Sequence, residues 1–215
     1  MGINDLPTQS VDNNEVPIPT QLDDSHRGSL NATLSPLYPK ERLIIQQLVR
    51  HGERIIYHDD ESGQSYTAAE FVAADLNGDE IALSTPLFAQ VLDELLQHIG
   101  DEGFSAERYF VTHANPQISR LAVDLVEEKY QLSKYHSKTQ TVIDEADHLV
   151  DIIPHLLNDY KLAIVEIDLK RTLDQLRQPS IMNDPAQCME VMTRYKQLTE
   201  LKHQMAKMLG DRVIG

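Results

Sequence analysis

PHLLNDYKLAIVEIDLKRTLDQLRQPSIMNDPAQCMEVMTRYKQLTELKHQMAKMLG, residues 154–210, decides the fold. Leu157, Tyr160, Ile164, Ile167, Leu173 and Leu176 recur at helical steps, the signature of one buried face of an α-helix. The run predicts one long helix from about Asp151 to about Arg177, with Pro154 accommodated in its first turn. The segment Gln178-Pro-Ser-Ile-Met-Asn breaks it. Asp184-Pro185-Ala186-Gln187 is a second start signal, with Asp as N-cap, Pro at the first helical position and Gln at the third. The second helix runs to Leu209 and stops at Gly210. Two long helices joined by a short Pro-containing turn make an antiparallel helical hairpin, expected over 151–215.

Upstream, residues 36–150 carry shorter helical patterns. Pro39 suits a helix start, and Leu43, Ile44, Ile45, Leu48 and Val49 form a stripe that ends near Gly52. RIIYHDDESGQSYT, residues 54–67, has a short apolar run and an acidic Gly turn, and predicts a small irregular or hairpin insertion near 54–66. Thr67-Ala-Ala-Glu70 is a capping box, opening a helix closed by Asn77-Gly78. Ser84 or Thr85 with Pro86 opens the next, which carries Leu87 to Ile99 and closes at Gly100. Ser105 to His113 reads as a short helix. Asn115-Pro116 caps another, with Ile118, Leu121, Ala122 and Leu125 inward, and the polar stretch Lys129–Thr141 reads as a loop. The expected fold is all-α: a helical bundle followed by a long C-terminal antiparallel helical hairpin.

Residues 1–35 show no hydrophobic period and are rich in Asn, Asp, Gln, Ser, Thr and Pro, which reads as a disordered linker that another segment is expected to precede.

Composition narrows the function classes. Of 215 residues 41% are hydrophobic and only 6% aromatic, with no Trp, so the core is aliphatic and suits helices better than a sandwich or barrel. The net charge of -15 sets up a field that repels phosphate backbones, so direct nucleic-acid binding is not expected. That charge is uneven. Asp144 to Asp174 is acid-rich, whereas Arg194, Lys196, Lys202, Lys207 and Arg212 make the last stretch basic. With one cysteine, Cys188, no intrachain disulfide forms. There is no secretory signal and no apolar run long enough for a bilayer, so the expected location is cytoplasmic, without membrane contact.

Catalytic signatures are missing. The chain has no Gly-rich phosphate loop, no HExxH and no GxSxG. Cys188 falls inside a predicted helix and reads as a small packed side chain. Asp75-Leu-Asn77-Gly78-Asp79-Glu80 resembles a calcium loop faintly, but its Gly comes two positions early and Pro86 stands where the bidentate Glu belongs. His58-Asp59 with His51 suggests, at a poorly fitting spacing, a helical metal-dependent phosphohydrolase. The carboxylate pairs Asp59/Asp60 and Glu127/Glu128 read as solvated faces, and the nine His lack ligand spacing. A binding module without metal or cofactor is the expectation, with that hydrolase, or a helical adaptor for another partner, as alternatives.

Four pieces in order carry a family resemblance: LYPKERLIIQQLVRHGERIIY, AERYFVTHANPQISRLAVDLVEEKYQLSKYH, PHLLNDYKLAIVEIDLKRTLDQLR and YKQLTELKHQMAKMLGDRVI. Together with the Pro-broken final hairpin they resemble the C-terminal region of bacterial DnaG-type DNA primases, over most of Pro36 to Ile214. The resemblance implies a non-catalytic helicase-binding region, a bundle plus a terminal hairpin that docks on the N-terminal domain of the hexameric, DnaB-type replicative helicase. It implies that this hairpin tethers primase to the fork for RNA primer synthesis. It also implies that the parent's zinc-binding domain and polymerase core lie elsewhere, since this chain has neither the Cys/His cluster nor the core. The segment Arg54 to Thr85 fits the plainer bundles of the family least well.

A two-helix hairpin buries one side of each helix and leaves an outer rim. Cys188, Met192, Tyr195, Leu198, Leu201, Met205 and Met208 follow a near-heptad stripe, to be divided between seam and rim. The expected partner-binding residues are Arg194, Gln197, Leu198, Leu201, Lys202, Met205, Leu209, Arg212, Val213 and Ile214.

Overall fold

A computed structural model of the chain describes residues 35–59, 63–136 and 148–211, the side chains of 128–136 and 208–211 excepted. The expected linker over 1–35 lies, but for Ser35, outside the described residues, as do Arg212, Val213 and Ile214. The described residues belong to one compact unit, Ser35–Gly215.

The protein is mostly helical. Helix α1 (Tyr38–His51) leads into an antiparallel pair of short strands, β1 (Ile55–His58) and β2 (Ser65–Thr67), followed by α2 (Ala68–Gly78), α3 (Pro86–His98), α4 (Ala106–Val111) and α5 (Pro116–His136). Helix α6 (Leu149–Leu176), the short α7 (Pro179–Met182) and α8 (Pro185–Asp211) complete it. The insertion expected near 54–66 is this hairpin, with a register irregularity between Ile55 and Tyr57.

Helix α1 is the hub, packing on α2, α3, α4, α5 and α6. Ile44, Ile45, Leu48 and Val49 are buried along it, against Val72, Phe88, Leu95, Phe110, Ile118 and Leu125 among others. The first half of α6 joins the same core through Leu149, Ile153, Leu157 and Tyr160. The expected division at 150/151 therefore falls inside a helix that belongs to both parts. Each fully buried Leu, Ile or Phe contributes roughly 1.5–3 kcal/mol relative to exposure, so the bundle depends on α6 well beyond residue 150. Helix α6 has apolar residues on several sides because the bundle covers one flank and α8 another.

Several ends form as their sequences predict. Thr67 Oγ1 accepts the Glu70 N–H at 3.3 Å, and Glu70 Oε2 accepts the Thr67 N–H at 2.8 Å, completing the capping box. Asn115 Oδ1 accepts the Gln117 N–H at 2.9 Å. Asp184 Oδ1 accepts the N–H groups of Ala186 and Gln187 at 3.0 and 3.2 Å, and Gln187 Nε2 donates back to Oδ2 at 2.9 Å.

Other ends differ. Pro154 lies past the first turn, because α6 starts upstream at Leu149. Proline has no N–H, so the α-helical bond from residue 154 to the Val150 carbonyl is lost, next to an exposed Val150. Helix α5 continues through Lys129–His136, part of the expected loop, since that stretch contains good helix formers and neither Gly nor Pro. The remainder of that loop, 137–141, lies outside the described residues. Gly78 does not cap α2. The left-handed residue is Glu80 (φ 56°), and the Ile81 N–H reaches the Leu76 carbonyl at 2.9 Å across it. Nor does α3 rely on a cap of its own: Glu41 on α1 accepts from the Ser84 and Thr85 N–H groups and the Thr85 hydroxyl.

Candidate docking face

Helix α8 packs along α6 and against α7. Half-buried positions recur along it at Cys188, Val191, Leu198, Lys202 and Met205, steps of three, four and seven that draw one seam. Facing it, α6 buries Val165 and Thr172 and half-buries Leu169, Leu173 and Leu176. Thr172 is tolerated in the seam because its hydroxyl donates to the Asp168 carbonyl at 2.7 Å. Lys202 lays its stem along the seam and brings Nζ to 2.7 Å from Glu166 Oε1.

This arrangement sorts the residues expected to touch a partner. Leu198, Lys202 and Met205 belong to the seam. Arg194, Gln197 and Leu201 share an outer flank, and Leu201 is 43% exposed. Leu209 lies in α8 with its side chain outside the described residues. The near-heptad stripe divides accordingly: Met192 leaves the seam, 58% exposed, and Val191 takes its place. Spacing alone did not single out Val191 and Lys202, because apolar residues occupy two adjacent faces of this helix.

At the closed end of the hairpin a groove of about 830 Å³ opens between Gln175 and Ile181 on one side and Gln187, Val191, Arg194 and Gln197 on the other. Met182 and Met189, 64% and 70% exposed, lie around this end. Arg194 Nη2 stands 3.9 Å from Asp168 Oδ2, while Arg171 Nη1 lies 3.4 Å from the other oxygen of the same carboxylate. The signal available for the groove in sequence was the methionine density of 182–192, not its shape.

The other chemistry-bearing groups are engaged structurally. Lys161 Nζ lies 2.6 Å from both Asp75 and Asp79, so a cation already occupies the carboxylates of the faint calcium-loop resemblance. Burial pulls the Lys161 ammonium down, but the bonds and charges of the two aspartates outweigh it and hold the group above its usual value. His51 is buried at the end of α1, whereas His58 is exposed on β1, its Nδ1 2.8 Å from Ser65 Oγ. No group of three His, Cys, Asp or Glu that could hold a metal occurs among the described residues, and no described helix is long and apolar enough to cross a membrane.

Sequence reading missed a polar cluster between α3 and α4. His113 Nε2 lies 2.7 Å from Glu94 Oε2, and the Tyr109 hydroxyl donates to the same oxygen at 3.3 Å. His113 Nδ1 accepts the Asn115 N–H at 3.0 Å, which leaves Nε2 as the protonated nitrogen facing Glu94. Burial pushes the Glu94 carboxyl up, but Gln90, His113 and Tyr109 more than offset this and hold it below its usual range.

Fold and face define an all-α protein in which a helical bundle carries a half-covered hairpin. A family model described as a domain of unknown function (DUF8430) matches residues 26–213, and the chain belongs to that family. Neither a curated protein nor a solved structure matches it.

Proposed function

We propose that this chain is the helicase-binding C-terminal region of a bacterial DnaG-type DNA primase. In this reading the hairpin tethers primase to the N-terminal domain of the DnaB-type replicative helicase, in the cytoplasm, for primer synthesis at the fork. The resemblance of the four ordered sequence pieces motivates the identity. One observation carries the docking role: α8 leans on α6 and α7 and keeps Met189, Met192, Arg194, Gln197 and Leu201 on its exposed sides. Exposed methionines beside long polar side chains suit an adaptable protein contact. The chain's own residues bind and position; no bond-making step is assigned to them, and no cofactor. The test is co-purification of the full chain with the replicative helicase from the same source, compared with a chain lacking Asp184 to Gly215. Loss of the complex on that deletion supports the reading.

A further inference from the structure

Methionine is distributed unevenly along this chain. Five of its six methionines, Met182, Met189, Met192, Met205 and Met208, fall within residues 182–208, and the sixth is Met1. None of the described residues in the buried core is a methionine; Leu, Ile, Val, Ala, Phe and Tyr fill it. Met182 on α7 and Met189 and Met192 on α8 are the most exposed large hydrophobic side chains among the described residues, whereas Met205 is half-buried in the seam between α6 and α8. Methionine commonly serves a core as an adaptable gap-filler, and packing in the bundle does not account for these three. Leucine matches methionine in helix propensity and in apolar character, so an apolar helix face alone does not call for a thioether. What methionine adds is a sulfur that oxidants reach.

Oxidation of that sulfur is a two-electron step. A sulfur lone pair attacks one oxygen of hydrogen peroxide, the O–O bond breaks and an S–O bond forms. The second oxygen leaves as water, so the thioether loses two electrons and the peroxide gains them. A thiol-dependent methionine sulfoxide reductase reverses the step: two thiols supply the electrons and become a disulfide, and the sulfoxide oxygen departs as water. The sulfoxide is polar and chiral where the parent side chain was apolar. At Met182, Met189 and Met192 the change falls on exposed surface, and the bundle core holds none of them. Met189 and Met192 stand three residues apart on α8 and are neighbours on its surface, so one patch of the helix changes polarity at two adjacent points. Cys188, the free cysteine beside them, is only partly exposed.

We propose that Met182, Met189 and Met192 form a reversible oxidation site, at which peroxide turns the apolar end of the hairpin polar and releases the partner held there. The regulatory half of the proposal rests on the helicase reading above; the oxidation site itself does not.

The full chain is treated with hydrogen peroxide, and oxygen uptake is mapped by peptide mass spectrometry alongside circular dichroism and melting curves. Met182, Met189 and Met192 are expected to take up one oxygen each before Met205 does, with helix content retained. Affinity for the N-terminal domain of the replicative helicase from the same source is then read by calorimetry on untreated, treated and reductase-restored chain. The expected result is at least about a tenfold loss of affinity on treatment, recovered on reduction. A chain carrying Met182→Leu, Met189→Leu and Met192→Leu, which keeps Cys188, is expected to show no such loss. Oxidation of Met205 as early as the other three, or loss of helix on treatment, overturns the oxidation site. Undiminished binding by treated wild type, or an equal loss in the leucine variant, overturns the regulation. Absence of binding by the untreated chain overturns the helicase reading and the regulation with it, while the oxygen map still decides the site.

Discussion

The hydroxyl of Tyr160 lies 3.0 Å from Oε1 of Glu41 and 3.0 Å from the carbonyl oxygen of Ala82. Both Tyr160 and Glu41 are fully buried. The carboxylate also collects the N–H groups of Ser84 and Thr85 and the Thr85 hydroxyl, so one side chain on α1 fixes the segment leading into α3 and anchors α6. Burial, followed by the charge and hydrogen bond of Glu41, raises the Tyr160 phenol far above its usual value and keeps it a donor. On either side of Tyr160, Asp159 pairs with Lys40 at 2.9 Å and Lys161 with Asp75 and Asp79. Three consecutive residues thus fasten the root of the hairpin to α1 and α2.

Tyr160→Phe removes the phenolic donor and leaves Glu41 short of one partner, at an expected cost of about 1–3 kcal/mol. Glu41→Ala costs more, because the start of α3 loses its acceptor as well. Urea denaturation of both variants measures this, and a smaller loss for Glu41→Ala than for Tyr160→Phe contradicts the anchoring role of Glu41.

Gly52 follows the end of α1, where its N–H meets the Leu48 carbonyl at 2.8 Å and its own carbonyl accepts from Ala69 at 3.1 Å. A Cβ there would collide with Leu95 Cδ2 and the Leu48 carbonyl oxygen. Gly52→Ala is expected to destabilise the protein by about 1–3 kcal/mol through overpacking, read as a lower denaturation midpoint.

Glu80 occupies the left-handed conformation after α2 that glycine adopts at least cost. Glu80→Gly is expected to stabilise by roughly 0.5–1 kcal/mol, the relief of strain exceeding the added freedom of the unfolded chain. A lower midpoint for this variant contradicts the assignment of the cap.

The Glu94 carboxyl is held below its ordinary value in the folded protein. Its contribution to stability is therefore present above the ordinary carboxyl range of the unfolded chain and is lost as pH falls through and below that range. Glu94→Gln removes that contribution, so the stability difference between wild type and variant is expected to shrink as the pH is lowered from 7 to 3. Denaturation at a series of pH values checks this, and a difference that grows on acidification contradicts it.

The all-α class and the terminal hairpin were legible in sequence because their signals are local. Apolar steps of three and four, the Thr67–Glu70 box and the Asp184–Gln187 start depend on neighbours within one turn. What escaped depends on distance along the chain. Glu41 looks like an ordinary first-turn carboxylate until Ser84, Thr85 and Tyr160 close around it. Glu94 and His113 lie on separate elements and no spacing rule joins them. On α8, periodicity located the apolar faces but not which would be covered. The half-buried seam runs through Val191 and Lys202 and leaves Met192 and Leu201 outside.

The hairpin is proposed as the arm by which this chain holds the replicative helicase. The direct measurement is co-purification of that helicase with the full chain and with a chain lacking Asp184 to Gly215, alongside melting curves for both. The deletion removes α8 but keeps Leu149, Ile153, Leu157 and Tyr160 in the core, so the bundle is expected to stay folded. A complex is expected with the full chain and none with the truncated one. A folded truncated chain that retains the helicase, or a full chain that never binds it, contradicts docking through the hairpin.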